Sequence, residues 1–162
     1  MRAMLATAIL AGIVIAGPEG HSAEALVHDP VYGFSVALPA FPRQDDAGIS
    51  ITRISFGGPV HDGKAPVCNV QIQNTGGTLS EFRTHSLEQF KTMGITLDSE
   101  TSRTVSGKEA LLFMSTGRDV KILSLAVQVR RSTYLVTCLA PSAQFPSYEK
   151  VFRGVIDSFS ID

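Results

Sequence analysis

The chain has 162 residues, with 14 basic and 15 acidic side chains, four histidines and two cysteines. A formal charge of −1 removes the electrostatic footprint that nucleic-acid or anionic-membrane binding requires. The length suits one domain with a full hydrophobic core, and no stretch is repeated or of low complexity.

The first segment reads as a secretory signal peptide, residues 1–25. Arg2 supplies its positive end, Ala3 to Ala16 is an uncharged apolar run, and Gly17-Pro18 breaks that run. Ala23-Glu24-Ala25 then offers small residues where signal peptidase cuts; a cut after Ala23 is a second option. The run falls short of the ~20 residues a spanning helix needs, so a membrane anchor is the weaker alternative. Removing residues 1–25 takes away Arg2, Glu19 and Glu24 and leaves 26–162 as a single domain of zero formal charge. No integral membrane segment remains, and the expected location is periplasmic or extracellular.

In the mature part, Leu26 to Pro30 is a short lead-in to which no element is assigned. Val31 to Pro39 reads as a strand, with Phe34, Val36 and Leu38 on one side. Phe41 to Asp46 is a polar turn. Ile49, Ile51, Ile54 and Phe56 mark a second strand, expected to hairpin with the first. Gly57 to Pro66 is a Gly/Pro-rich loop. Val67 to Gln73 is a third strand, with Cys68, Val70 and Ile72 on one face and Asn69, Gln71 and Gln73 on the other.

Asn74 to Gly77 is a turn, and Thr78 with Glu81 forms a capping box. The helix that follows is predicted over Leu79 to Met93, with Leu79, Phe82, Phe90 and Met93 inward and Gly94 as its left-handed terminator. Ile95 to Ser102 is irregular or a short strand. A turn at Val105 to Glu109 leads into a strand over Ala110 to Thr116, and Gly117-Arg118-Asp119 turns the chain again.

Lys121 to Pro141 is the most regular stretch. Leu123, Leu125, Val127 and Val129 alternate with smaller or polar residues, Arg130 to Thr133 makes a polar connection, and Tyr134 to Leu139 runs β-branched and aromatic until Pro141. This hairpin is expected at the centre of the sheet. A second helix carries Tyr148, Val151, Phe152, Val155, Ile156 and Phe159 as one apolar stripe, and Ser160 to Asp162 adds a last short strand. Short turns between strands imply antiparallel pairing. The expected fold class is therefore α+β, an antiparallel β-sheet covered by helices.

Cys68 and Cys138 each lie within a strand-like run. In an exported protein such a pair reads first as one disulfide, and two buried free thiols are the alternative. We expect the bridge.

The order of several weak motifs carries a resemblance. Tyr32 to Pro39 opens the domain, Leu79-Ser80-Glu81-Phe82 begins the first helix, and Gly107 precedes the strand at Ala110. Tyr134-Leu135-Val136-Thr137 precedes Pro141, and Phe145, Tyr148, Phe152, Ile156, Ser158 and Phe159 close the chain. Over nearly the whole mature part, this resembles the PsbP-like superfamily and its small exported bacterial members. The resemblance implies an α-β-α sandwich and a domain that is not generally an enzyme. It assigns no cofactor, metal or binding residue.

Candidate chemistry is sparse. Gly58 to Ala65 approaches the phosphate loop GxxxxGK[ST] but has Ala65 where the hydroxyl belongs and Pro66 where a helix should start. His28-Asp29 and His61-Asp62 are adjacent pairs whose side chains diverge, and His85 lies on the first helix. No HExxH or CxxC spacing exists, so no metal or cofactor is expected beyond a site built by His61 and Asp62 with distant partners. No GxSxG elbow is present; a Ser–His–Asp group assembled from distant positions is the hydrolase alternative. Cys138, in an apolar strand, is not a nucleophile. Arg130-Arg131 with Lys121 and Arg118 makes either a small basic rim or, preferably, a solvated turn. Asn69, Gln71 and Gln73 form either a solvent-facing strand face, the reading preferred here, or a surface for a partner. The expectation is an exported, non-enzymatic monomer that binds a protein partner in the cell envelope. The alternative is a small-molecule binding module with a pocket between sheet and helix.

Overall fold

The structure is a computed structural model and describes residues 25–39, 43–44, 52–60 and 63–162. The signal-peptide expectation, the turn residues 41–42 and 45–46, Ile49, Ile51, His61 and Asp62 lie outside the described residues.

The described residues form ten strands and two helices. In chain order they are β1 (Leu26–Asp29), β2 (Phe34–Ala37), β3 (Arg43–Gln44), β4 (Thr52–Gly57), β5 (Val67–Gln73) and α1 (Leu79–Met93). Next come β6 (Thr96–Val105), β7 (Lys108–Thr116), β8 (Val120–Val129), β9 (Ser132–Pro141), α2 (Phe145–Ser158) and β10 (Ser160–Ile161). A seven-stranded sheet runs β3-β4-β5-β9-β8-β7-β6, and a three-stranded sheet runs β1-β2-β10. Every neighbouring pair is antiparallel. The α+β sandwich expected from the sequence is thus present, with a second small sheet in addition to the large one.

The β8–β9 hairpin is central, as its alternation predicted. Val129 pairs with Ser132, so the connection is only Arg130 and Arg131, shorter than the expected four residues. Arg130 takes a left-handed backbone, φ 55°, which a side chain with a Cβ adopts at a cost. Arg130→Gly is therefore expected to raise stability by about 0.5–1 kcal/mol, seen as a higher urea midpoint at unchanged slope. An unchanged or lower midpoint would show that this turn is not strained.

One face of the large sheet carries the main core. Cys68, Val70, Leu123, Leu125, Val127, Val136 and Cys138 lie there with Phe145, Phe152, Val155 and Ile156 of α2. Fully burying each such large side chain contributes about 1.5–3 kcal/mol, so the stripe on α2 fixes that helix firmly. The small sheet shares the same face. Phe34 of β2 packs against Tyr134 and Phe159 at ring distances of 6.3 and 5.8 Å. The Tyr134 hydroxyl donates to the Tyr32 carbonyl at 2.8 Å, which ties β9 to the turn before β2. Burial and the nearby Asp29 carboxylate push that phenol up, so it stays a protonated donor through the neutral range. Arg53 lies over the Tyr32 ring at 4.1 Å and caps this junction by a cation–π contact.

Cys68 and Cys138 face each other in the β5–β9 register, with Cα atoms 4.1 Å apart, and are joined as a disulfide. The expected bridge is present, and the free-thiol alternative is removed.

Several expectations are corrected. Leu26–Asp29 is a strand, β1, held by pairing with β2, and the first predicted strand shrinks to Phe34–Ala37. The turn Asp29 to Gly33 makes up the difference: the Asp29 carboxylate accepts from the amides of Val31 and Tyr32 at 2.9 and 3.1 Å. Arg43-Gln44, read as turn, pairs with β4. β4 pairs with β3 and β5 and not with β2, because β2 belongs to the other sheet. Ile95 to Ser102, read as irregular or a short strand, is a strand and a longer one, the ten-residue edge strand Thr96–Val105; among the described residues only its inner edge is paired, so its composition is largely polar.

Candidate functional site

The second face of the large sheet is where the fold leaves space. Registers across the strands give two rows. One runs Thr52, Gln71, Leu135, Ala126, Leu111, and the other Ser55, Asn69, Thr137, Ser124, Phe113. Each row is polar at the β4–β5 end and apolar under β7. α1 covers only the apolar end, where Leu79 and Phe82 pack with Leu111, Phe113 and Ala126. What remains is a polar shelf on β5 and β9 with α1 as one wall.

Local sequence sets that wall. Glu81 N–H donates to the Thr78 hydroxyl at 3.2 Å, and the Glu81 carboxylate accepts from Thr78 N–H at 2.6 Å, completing the expected capping box. That backbone N–H holds the Glu81 carboxyl below its ordinary range. Gly94, φ 69°, ends the helix as predicted. Arg83 Nε lies 2.8 Å from both oxygens of Glu100 and pins the helix to β6. Burial is confined to the first turns: Phe90 is half-buried and Met93 is 71% exposed. Met93 was expected to face inward. The helix extends beyond the apolar part of the sheet, so its last turn has nothing to pack on.

Between α1 and β5 lies an open channel of about 610 Å³, bounded by Gln73, Gly76, Glu81, His85, Ser86 and Gln89. It continues under the helix into a pit of about 180 Å³, walled by Phe82, Phe90, Phe113, Ile122 and Leu135. Ser86, Gln89, Ser124 and Thr137 ring the same pit. The polar groups here are weakly engaged. Gln71 Nε2 reaches Thr52 Oγ1 at 3.4 Å and Gln73 Nε2 reaches Gln71 Oε1 at 3.5 Å, both beyond the usual range for such bonds. Asn69 Oδ1 has no protein partner. By contrast, buried Thr133 is fully used, donating to Gln128 Oε1 at 3.0 Å beside Thr75 at 3.2 Å. The ionisable side chains bordering the channel are Glu81 and His85, the latter 3.5 Å from Glu88.

Of the polar strand face Asn69, Gln71, Gln73, only Gln73 borders the channel; Gln71 and Asn69 lie further along the same face of β5. A pocket between sheet and helix was the alternative reading, and the pit lies there, but its walls were not foreseen: they come from α1, β7, β8 and β9, whose juxtaposition no local pattern states. His85 stands at the channel mouth.

The structure also brings together a group that sequence reasoning left open. His28 Nδ1 lies 3.1 Å from Ser35 Oγ, and His28 Nε2 is 3.9 Å from Asp162 Oδ2. The cause is pairing, since His28 and Ser160 both lie opposite Ser35. His28 and Asp162 side chains are 50% and 59% exposed, and 3.9 Å is too long for a hydrogen bond. Nearby amides are committed, those of Val31 and Tyr32 to Asp29 and that of Asp162 to the Gly33 carbonyl. An acyl-transfer site needs free donors aimed at the developing oxyanion; this group is a cross-strand surface contact.

Other candidates separate. Gly58 to Pro66 links two antiparallel strands, with Gly58 N–H donating to the Pro66 carbonyl at 2.8 Å. A phosphate loop must lead into a helix, so that reading fails. Lys64 lies 3.6 Å from Asp119. Arg130 and Arg131 sit at the opposite end of β8 from Lys121, so no joint basic rim forms. No group of three or more His, Cys, Asp or Glu side chains converges among the described residues.

No family model matches the sequence, and no curated protein matches it. Solved structures do match. Cyanobacterial PsbP (CyanoP) from Synechocystis sp. PCC 6803 superposes with a TM-score of 0.64 at 14% identity, covering 91% of this chain and 97% of that one. The chain has the PsbP-like fold. LpqN of Mycobacterium tuberculosis, described as involved in cell envelope biogenesis, gives 0.63 at 10% identity, covering 85% and 90%. PA94 of Pseudomonas aeruginosa, a protein of unknown function, gives 0.59 at 15%, covering 83% and 94%. At such identities the likeness shows the PsbP-like fold alone. No helix among the described residues is long and apolar enough to cross a membrane.

Proposed function

We propose that this protein is an exported, non-enzymatic domain that binds a protein partner in the cell envelope. The observation that carries the reading is the channel along α1. It is open, its ionisable lining residues are Glu81 and His85 alone, and the carboxamides of Gln73 and Gln89 border it. Small-molecule sites enclose most of their ligand among apolar walls, whereas an open polar channel suits a segment of another chain. A neighbour in fold described as involved in cell envelope biogenesis and a disulfide that persists in oxidising compartments support the location.

The test is site-specific photocrosslinking in the exporting cell from Gln73 and His85, with Lys150 on the outer face of α2 as control. The expected result is one reproducible protein crosslinked from the channel positions and not from Lys150. Equal labelling from all three positions, or none, would overturn the reading.

A second reading, a small-molecule binding module, is favoured by one feature: the 180 Å³ pit lies between sheet and helix, where such a pocket was expected.

A further inference from the structure

The channel and the pit differ in chemistry, and the difference specifies an occupant. We propose that the channel takes an extended, uncharged polypeptide segment that places one apolar side chain, isobutyl or phenyl in size, in the pit. Its main chain lies along the Gln71–Gln73 shelf. This rests on the partner-binding reading and names the recognised part of that partner.

Size comes first. A dry cavity of ~150 Å³ lined by Leu, Ile and Phe accepts benzene, and the pit measures about 180 Å³ with Phe82, Phe90, Phe113, Ile122 and Leu135 as walls. It holds one such group and no more. The rim comes second. Gln73 and Gln89 border both the channel and the pit, and Gln71 extends the row along β5. A carboxamide both donates and accepts, which is the pairing a peptide main chain offers at each residue. The present contacts of Gln71 and Gln73, at 3.4 and 3.5 Å, are weak enough to be exchanged.

Charge comes third. No ionisable side chain borders the pit, and in the channel Glu81 is already committed to Thr78. A charged group entering the pit would lose hydration without gaining a counter-ion. Spacing comes fourth. Side chains of an extended chain point alternately to opposite sides, so one residue can enter the pit while its neighbours lie along the channel. The sparse burial of the last turns of α1, with Met93 71% exposed, lets the wall near Phe90 adjust to different anchors.

The experiment titrates the isotope-labelled exported protein with blocked pentapeptides Thr-Ser-X-Ser-Thr, followed by amide chemical shifts. With X as Leu or Phe, shifts are expected at Ser86, Gln89, Leu135 and Thr137, and binding at least tenfold tighter than with X as Ala. No binding is expected with X as Asp. S86L should fill the pit and abolish the Leu-peptide shifts, and Q73A should weaken the Leu and Phe peptides severalfold while keeping their preference over the Ala peptide. Undiminished binding by a folded S86L, or equal affinity of the Ala and Leu peptides, overturns the proposal. So does benzyl alcohol alone binding as tightly as the Phe peptide, which would make the pit a small-molecule site. If no peptide binds while Gln73 and His85 still crosslink a partner in cells, the anchor proposal falls and the partner reading stands. If both fail, both fall.

Discussion

Replacing Cys68 and Cys138 together by alanine is expected to lower stability by about 4 kcal/mol, with a range of roughly 2–5. The two cysteines are 70 positions apart, so the bridge removes a large loop's worth of freedom from the unfolded chain. In the folded state they already face each other on hydrogen-bonded neighbours, β5 and β9, and the bridge holds them where the sheet has put them. The loss therefore arises mainly in the unfolded ensemble, on the chain-entropy account of disulfides. A domain of this size has only about 5–15 kcal/mol in all, which leaves the double variant marginal. Urea unfolding of the oxidised, reduced and double-alanine forms measures it, with intact mass confirming the bridge in the first. A difference below about 1 kcal/mol would mean that the bridge is structurally redundant.

Phe34→Ala should cost about 3–5 kcal/mol, the usual range for deleting a buried aromatic ring. Phe34 is 0% exposed and meets Tyr134 at 6.3 Å and Phe159 at 5.8 Å. Those partners come from β9 and from the residue that caps α2, so the ring is where the small sheet, the large sheet and the second helix join. Hydrogen exchange should show protection lost first in β1, β2 and β10, with the β8–β9 hairpin retaining it. Leu26→Ala is the control: Leu26 belongs to the same small sheet but is 65% exposed, and its change should stay within about 0.5 kcal/mol. Equal effects of the two substitutions would show that the small sheet is not anchored through Phe34.

Legibility in the sequence followed burial. The β8–β9 hairpin and α2 were readable because each presents an apolar face to one partner, and a single-sided environment imprints its period on the residues. α1 was readable to the residue, largely from Thr78, Glu81 and Gly94, whose roles are fixed by backbone geometry at helix ends. Cys68 and Cys138 were readable as a pair because only two cysteines exist. β6 was only half readable, as irregular or a short strand, since a polar edge strand such as Thr96–Val105 has its pairing on one side and little buried face to betray it. The partner of β2 was not readable either. Short strands look alike, and it is the aromatic junction at Phe34, a long-range contact, that sends β2 to the small sheet. For the candidate site, Asn69, Gln71 and Gln73 were visible as a polar face. A pocket between sheet and helix was expected as an alternative, but its walls were not legible, because Phe82, Ile122 and Leu135 look like ordinary core residues until the packing of α1 on the sheet leaves a gap among them.

The way the small sheet is closed also sets an order of events. β2 is covered on one side by β10, and the Ala37 amide donates to the Ser158 hydroxyl across 121 positions of chain at 2.8 Å. β8 and β9, in contrast, meet through a two-residue turn. Closing a long loop costs more entropy than closing a short one and slows the step that requires it. The hairpin can therefore form as soon as it leaves whatever is threading the chain, whereas β2 must wait for the last helix to arrive. The β1–β2 hairpin is local, but a chain that emerges from its N-terminus would leave the apolar side of Phe34 and Val36 uncovered until α2 and β10 arrive. That interval is when the protein is most open to aggregation.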